Sequence, residues 1–190
     1  STMSFISFMH SKYAISGWYP ASTSVSKPAF MKKPIEFLKI VHLRGPNMWT
    51  YRPVLEAWVE LGELEEYPSN KIPGFYERLS AWLPSLVEHR CNYGEHGGFF
   101  RRLDEGTWIG HVLEHVALEL MTLGGLPDGF GRTRETTERG VYKLAISNFQ
   151  DDCTKLALEL GIELILAAVN DTPFDMAAAT EKMRRKVDRK

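Results

Sequence analysis

Residues 107–125, TWIGHVLEHVALELMTLGG, decide the reading of this chain, because they write one long helical pattern around two histidines and a glutamate. At about 100° per residue, Ile109, Val112, Leu113, Val116, Leu120 and Leu123 fall on one stripe, as in a helix laid against a core. His111, Glu114 and His115 fall opposite, like the wall of a cleft. H-x-x-E-H is the zinc-hydrolase pentapeptide in inverted order. Histidines four residues apart stand one above the other on a helix, so their imidazoles can converge on one ion, with the glutamate beside them. The bland alternative is a solvated face where two surface histidines flank a glutamate. Thr107 is placed as the N-cap, and Gly124-Gly125 end the helix.

Catalytic zinc needs a third protein ligand and an open position for water. The upstream stretch Glu88-His89-Arg90-Cys91-Asn92-Tyr93-Gly94-Glu95-His96-Gly97-Gly98 offers Cys91, His89 and His96, and Glu119 lies one turn beyond His115. Cys91 ranks first on chemistry, since a thiolate binds zinc tightly. Glu119 has two roles open, ligand or carboxylate behind an imidazole. Cys91 also has a plainer reading, a buried thiol at a helix end.

Composition bounds the rest. With 44% hydrophobic and 12% aromatic residues among 190, the chain can bury one good core, so one domain with tails is expected. A net charge of −1 argues against a nucleic-acid surface built on bulk electrostatics. Cys91 and Cys153 alone make no disulfide framework, which fits a reduced, cytoplasmic protein. No apolar run is long enough to span a membrane. Residues 1–30 are rich in serine and small residues and lack a signal peptide's pattern. They are expected to be a peripheral or disordered extension, with Met31-Lys32-Lys33-Pro34 resembling an authentic start.

Residues 35–43 alternate and are rich in β-formers, predicting a strand that Arg44-Gly45-Pro46-Asn47 ends in a turn. Residues 53–61 read as a short helix. A longer helix is predicted over 73–88, kinked or broken at Pro84. Residues 94–98 form a glycine-rich loop leading into Phe99-Phe100-Arg101-Arg102-Leu103. Residues 129–136 and 140–148 read as a hairpin, and 151–169 as an amphipathic helix. Beyond Thr172-Pro173, residues 176–190 look like an exposed basic helix running away from the core. Strands and helices do not alternate strictly. The expected class is therefore α+β, a small mixed or antiparallel sheet packed with helices, with the histidine motif on a central helix.

A series of blocks now carries a family resemblance. They are Leu43-Arg44-Gly45-Pro46-Asn47; Pro68-Ser69-Asn70 with Ile72-Pro73-Gly74-Phe75; Leu83-Pro84-Ser85-Leu86 with Glu88-His89; Gly106-Thr107-Trp108 with Gly110-His111; Glu114-His115-Val116-Ala117-Leu118-Glu119; and Phe130-Gly131-Arg132-Thr133-Arg134-Glu135-Thr136. In that order, over about residues 31–171, they resemble the N-terminal domain of cyanophycin synthetase. The resemblance implies a bacterial enzyme that uses ATP to polymerise aspartate and arginine into a storage polymer with a poly-aspartate backbone and arginine side chains. Its ATP-grasp and Mur-ligase-like modules would follow this domain, with residues 172–190 a basic helical linker toward the first. No Gly-x-x-x-x-Gly-Lys-Ser/Thr phosphate loop occurs here, so this chain is not expected to make polymer alone.

In that family this domain holds the growing polymer, and in some members a metal-dependent site cuts polymer into primers. The matching positions are Cys91, His111 and His115 as zinc ligands and Glu114 as base. Glu119, His89 and His96 would stand behind the ligands, although residues 92–96 match the family poorly. Arg132 and Arg134, sharing one strand face, with Arg101 and Arg102, would meet the polymer's carboxylates. Glu63, Glu65 and Glu66 would meet its guanidiniums. For any single one of these, a solvated surface charge is the plainer reading. Two other readings stand beside this one. One is a non-catalytic polymer-binding module with a structural or relic metal site; the other is a stand-alone inverted zinc enzyme similar to S-ribosylhomocysteine lyase.

Overall fold

The computed structural model describes residues 35–147 and 150–188, so the expected extension over 1–30 lies outside the described residues. Four strands, β1 (Glu36–Leu43), β2 (Val54–Glu60), β3 (Gly131–Glu135) and β4 (Val141–Ser147), form a sheet of order β1-β2-β4-β3. Every neighbouring pair is antiparallel. Five helices join them: α1 (Phe75–Trp82), α2 (Gly98–Glu105), α3 (Ile109–Leu123), α4 (Asp151–Asn170) and α5 (Met176–Asp188). The class is α+β with a purely antiparallel sheet.

Alternation sorts the sheet into two faces. Leu55, Ala57 and Val59 of β2 and Tyr142, Leu144 and Ile146 of β4 lie in the core shared with α3 and α4. The opposite face carries Glu56, Trp58 and Lys143, with Lys39 and Lys143 each stacked over the Trp58 ring. Helix α3 crosses the sheet closely. A Cβ on Gly110 would lie 2.7 Å from Cγ of Tyr142, so only glycine lets the backbones approach this far.

The hairpin β3–β4, the helices α3 and α4 and the break at Pro84 stand as expected, with a 3₁₀ turn over Pro84–Glu88 after α1. Three expectations need correction. Residues 53–61 are strand β2, not a helix. Val54, Trp58 and Val59 favour a pleated surface, and β2 is a central strand with the core against one face and Trp49 and Lys143 reaching Glu56 on the other, so it shows no clean polar alternation. Residues 99–103, for which the sequence pattern predicts no element, belong to α2, whose Phe99 and Leu103 sit one turn apart in the core. Finally, α5 does not run away from the core. Met176, Ala179, Met183 and Val187 form a stripe along one side that packs on α3 and α4, while Lys186 reaches Asp152 at 2.8 Å.

Met183 is fully buried, so Met183→Ala should cost about 2 to 5 kcal/mol in urea unfolding, the usual range for truncating a core methionine. A change below about 0.5 kcal/mol, typical of a surface substitution, would mean α5 is not part of the cooperative core.

Candidate metal centre

Helix α3 is buried along almost its whole length, yet it carries His111, Glu114, His115 and Glu119. Buried polar groups are costly unless partnered, and each of these four finds its partner on another segment. Thr107, just before the helix, places its hydroxyl 2.9 Å from Nδ1 of His111. Thr107 is therefore not the N-cap; Trp108 holds that position without a side-chain cap. Thr133 of β3 donates its hydroxyl to Oε2 of Glu114 at 2.6 Å. His89 lies with Nδ1 2.9 Å from Nδ1 of His115 and Nε2 3.0 Å from Oε2 of Glu119. Ser85 donates to the other oxygen of Glu119.

With their outer nitrogens so engaged, both histidines turn Nε2 toward each other at 3.1 Å. Cys91 closes the group, its Sγ 3.4 Å from Nε2 of His111. The thiol arrives on a 3₁₀ turn over Cys91–Tyr93, with Cys91 itself in the left-handed region at φ 51°. Such a conformation is unfavourable for a residue with a Cβ and marks a backbone held in place by its surroundings. Cys91, His111 and His115 offer three ligand atoms within 4.8 Å of one another.

The electrostatics fit a cation. Burial pushes His111 down to about 4, with Arg102 adding to the effect, and burial holds His115 far below the usual imidazole range. Both rings are neutral and keep a lone pair free. Burial also pushes the Cys91 thiol up, more than Asn92 and Arg102 offset, so a thiolate here lacks a compensating positive charge of its own. Burial raises Glu114 to about 7 against the opposing pull of Thr133, Arg132 and His89. This donor set suits a metal with nitrogen and sulfur preferences.

The cluster floors a cleft of about 1140 Å³. Arg132 and Arg134 lie on its rim, on the face of β3 turned away from α3, and Arg134 stacks over Trp49 at 4.7 Å. His96 lies elsewhere, exposed and paired with Glu88 at 3.1 Å. Arg101 is also outside the cleft lining, pairing along α2 with Glu105 and with Glu95. Arg102 is outside the lining too, half-buried, and close enough to act on His111 and Cys91. Glu65 is held by the Tyr142 hydroxyl and Glu66 by Arg139. Thr133 and Ser85 were not singled out from sequence, because a hydroxyl reveals its target only once strands and helices are in register. Phe99, stacked 4.3 Å from the His115 ring, was likewise hidden.

Among the described residues no helix is long and apolar enough to cross a membrane. Residues 56–170 match the family described as cyanophycin synthase-like N-terminal domain. The chain is 45% identical over 132 residues to a cyanophycin synthetase of Geminocystis herdmanii, covering 68% of this chain and 15% of that protein. It is 43% identical over 144 residues to one of Synechocystis sp., 75% of this chain and 16% of the relative. A third, from Trichormus variabilis, is 46% identical over 138 residues, 72% and 15% respectively. The chain thus spans only about a sixth of the length of these relatives. The family match runs from β2 through the cleft-lining segments to the end of α4. This chain belongs to the cyanophycin synthase-like N-terminal domain family.

Proposed function

We propose that this domain binds cyanophycin in the cytoplasm and hydrolyses it into primers at a zinc site, upstream of the ATP-grasp and Mur-ligase-like modules that elongate the polymer in the full-length enzyme. The observation that carries this reading is the convergence of one ligand atom each from Cys91, His111 and His115 within 4.8 Å, on the floor of an open cleft beside a buried carboxylate. Bound zinc supplies a Lewis acid that makes water nucleophilic near neutral pH. Glu114 takes the proton of the attacking water and returns it to the leaving amine, a cycle that needs a pKa near the working pH. Burial of Glu114 beside the cluster places its carboxyl where it can reach a water held there. Thr133 keeps the carboxylate in place by holding one of its oxygens. Arg132 and Arg134 on the rim pair with the polymer's carboxylates, bidentately where geometry allows.

The purified domain should hold close to one zinc per chain, and His111→Ala and Cys91→Ser should lose it. Full metal occupancy in both variants would remove the ligand assignment. Glu114→Gln should keep the zinc while cleavage of polymer falls about 100-fold or more, the usual scale for a lost general base. Zinc retained in a wild-type domain that leaves polymer length unchanged would favour the non-catalytic binding module instead.

The buried acid also predicts a pH dependence for the metal-stripped protein. Folding raises Glu114 from an ordinary value of 4.5 to about 7, so the native state holds that proton more tightly than the unfolded chain. The contribution is fully present below the unfolded pKa and is lost as pH rises through the folded one. Glu114→Gln should therefore gain stability relative to the wild type as pH rises from 4.5 to 7, read from urea midpoints. A constant difference across that window would contradict the assignment.

Replacing Arg132 and Arg134 together by alanine should leave zinc content unchanged and weaken retention on long polymer far more than binding of a single Asp-Arg dipeptide, because weak contacts along one chain reinforce one another. Raising salt should loosen the wild type more steeply than the variant. Equal co-sedimentation of both proteins at low and high salt would place the polymer elsewhere.

A further inference from the structure

Behind the ligand cluster a line of hydrogen bonds runs from Ser85 through Glu119 and His89 to His115, and for a neutral His89 its direction follows from counting donors. Glu119 takes the Ser85 hydroxyl on one oxygen and faces Nε2 of His89 at 3.0 Å with the other. An ionised carboxylate only accepts, so the proton of His89 sits on Nε2. A neutral imidazole with Nε2–H has a lone pair on Nδ1, and that lone pair lies 2.9 Å from Nδ1 of His115. His115 must then be the donor at Nδ1. Its Nε2 is left as a bare lone pair, aimed at the position it shares with His111 and Cys91.

His111 has no comparable control. Its Nδ1 meets the Thr107 hydroxyl, which can give or take a proton. Without the chain behind it, His115 would be free to hold its proton on Nε2, where it blocks a metal. Sequence spacing alone suggested Glu119 as a direct support of His115; the fold interposes His89.

We propose that His89 and Glu119 are positioning residues that lock His115 in the Nδ1–H tautomer, so that its Nε2 lone pair is held ready for zinc. This rests on the metal-site reading above. Neither residue is one of the three candidate ligands; Glu119 acts through His89, and His89 acts through His115. Supports of this kind fix ring orientation and raise ligand basicity, and their loss weakens metal binding about 10- to 100-fold.

The experiment is zinc affinity by competition with a chromophoric chelator, together with the visible spectrum of the cobalt-substituted protein. His89→Leu, which fills the space without hydrogen bonding, and Glu119→Ala should each weaken zinc binding about 10- to 100-fold. Cobalt spectra should keep the thiolate charge-transfer band, because Cys91, His111 and His115 remain the ligands. His89→Gln, whose carbonyl oxygen can accept from Nδ1–H of His115, should recover most of the affinity. The double variant His89→Leu with Glu119→Ala should be no worse than His89→Leu alone, since Glu119 has nothing left to act through. Additive losses, or a glutamine at 89 as poor as leucine, would reduce the pair to packing and overturn the proposal. So would unchanged zinc affinity in both single variants. If His89→Leu fails to fold, Glu119→Ala and His89→Gln still decide it. A wild type that binds no zinc would fail the metal site itself; wild-type binding lost in His111→Ala but unaffected at 89 and 119 would fail only the tautomer lock.

Discussion

The site depends on one constraint: α3 is wedged between the sheet, α4 and α5, and it carries four titratable side chains into that environment. Leaving any of them without a partner would cost on the order of 1 to 3 kcal/mol or more. The fold answers by bringing three segments to the four of them. Thr107 comes from the entry to the helix, Thr133 from the edge strand, His89 and Ser85 from the segment after α1. The same bonds that make burial tolerable also orient the side chains. Stability and pre-organisation are here one set of contacts, which is why the cluster points three ligand atoms at one place instead of scattering them.

Strand β3 joins the buried site to the surface. Its alternation sends Gly131 and Thr133 toward α3 and Arg132 and Arg134 the other way. A Cβ on Gly131 would meet Cγ of Glu114 at 2.7 Å, so the missing side chain makes room for the carboxylate that Thr133 holds. Five residues thus seat the acid on one face and present two guanidiniums on the other. A slip of one residue in the β3–β4 register would exchange the two faces and put arginines against the buried glutamate.

Much of this was legible in the chain. The spacing of His111, Glu114 and His115 declared a helix and a cluster, and Cys91 stood out by ligand chemistry. The hairpin announced itself through its Gly-flanked alternation, and Pro84 ended α1 as its missing N–H requires. What failed to show had physical reasons. Strand β2 is covered on both faces, so its Val-Leu-Glu-Ala-Trp-Val-Glu run lacks the period that marks a half-buried strand, and its Glu56 is buried only because Lys143 and Trp49 reach it. Helix α5 is basic enough to look solvated, and four apolar residues spread over three turns were too sparse to reveal the docked side. The partners of the cluster were invisible for a different reason. A serine or threonine can serve any of several neighbours, and only the assembled fold selects one.

His89 best illustrates where sequence reasoning stops. By residue type it competes with Cys91 for the third ligand position, and by spacing it belongs to the same upstream stretch. The fold separates the two, first through backbone geometry. Phe99 N–H binds the His89 carbonyl at 2.9 Å and Gly97 N–H binds Val87 at 2.7 Å, tying this stretch to the start of α2. That anchoring sets the His89 ring between His115 and Glu119, while the left-handed turn at Cys91 carries the thiol forward to His111. Two residues apart in sequence, one side chain closes the cluster against His111 and the other stands directly behind His115. A carboxylate already occupies the far nitrogen of His89, and His115 occupies the near one, so the imidazole with the right chemistry has no free position to offer an ion.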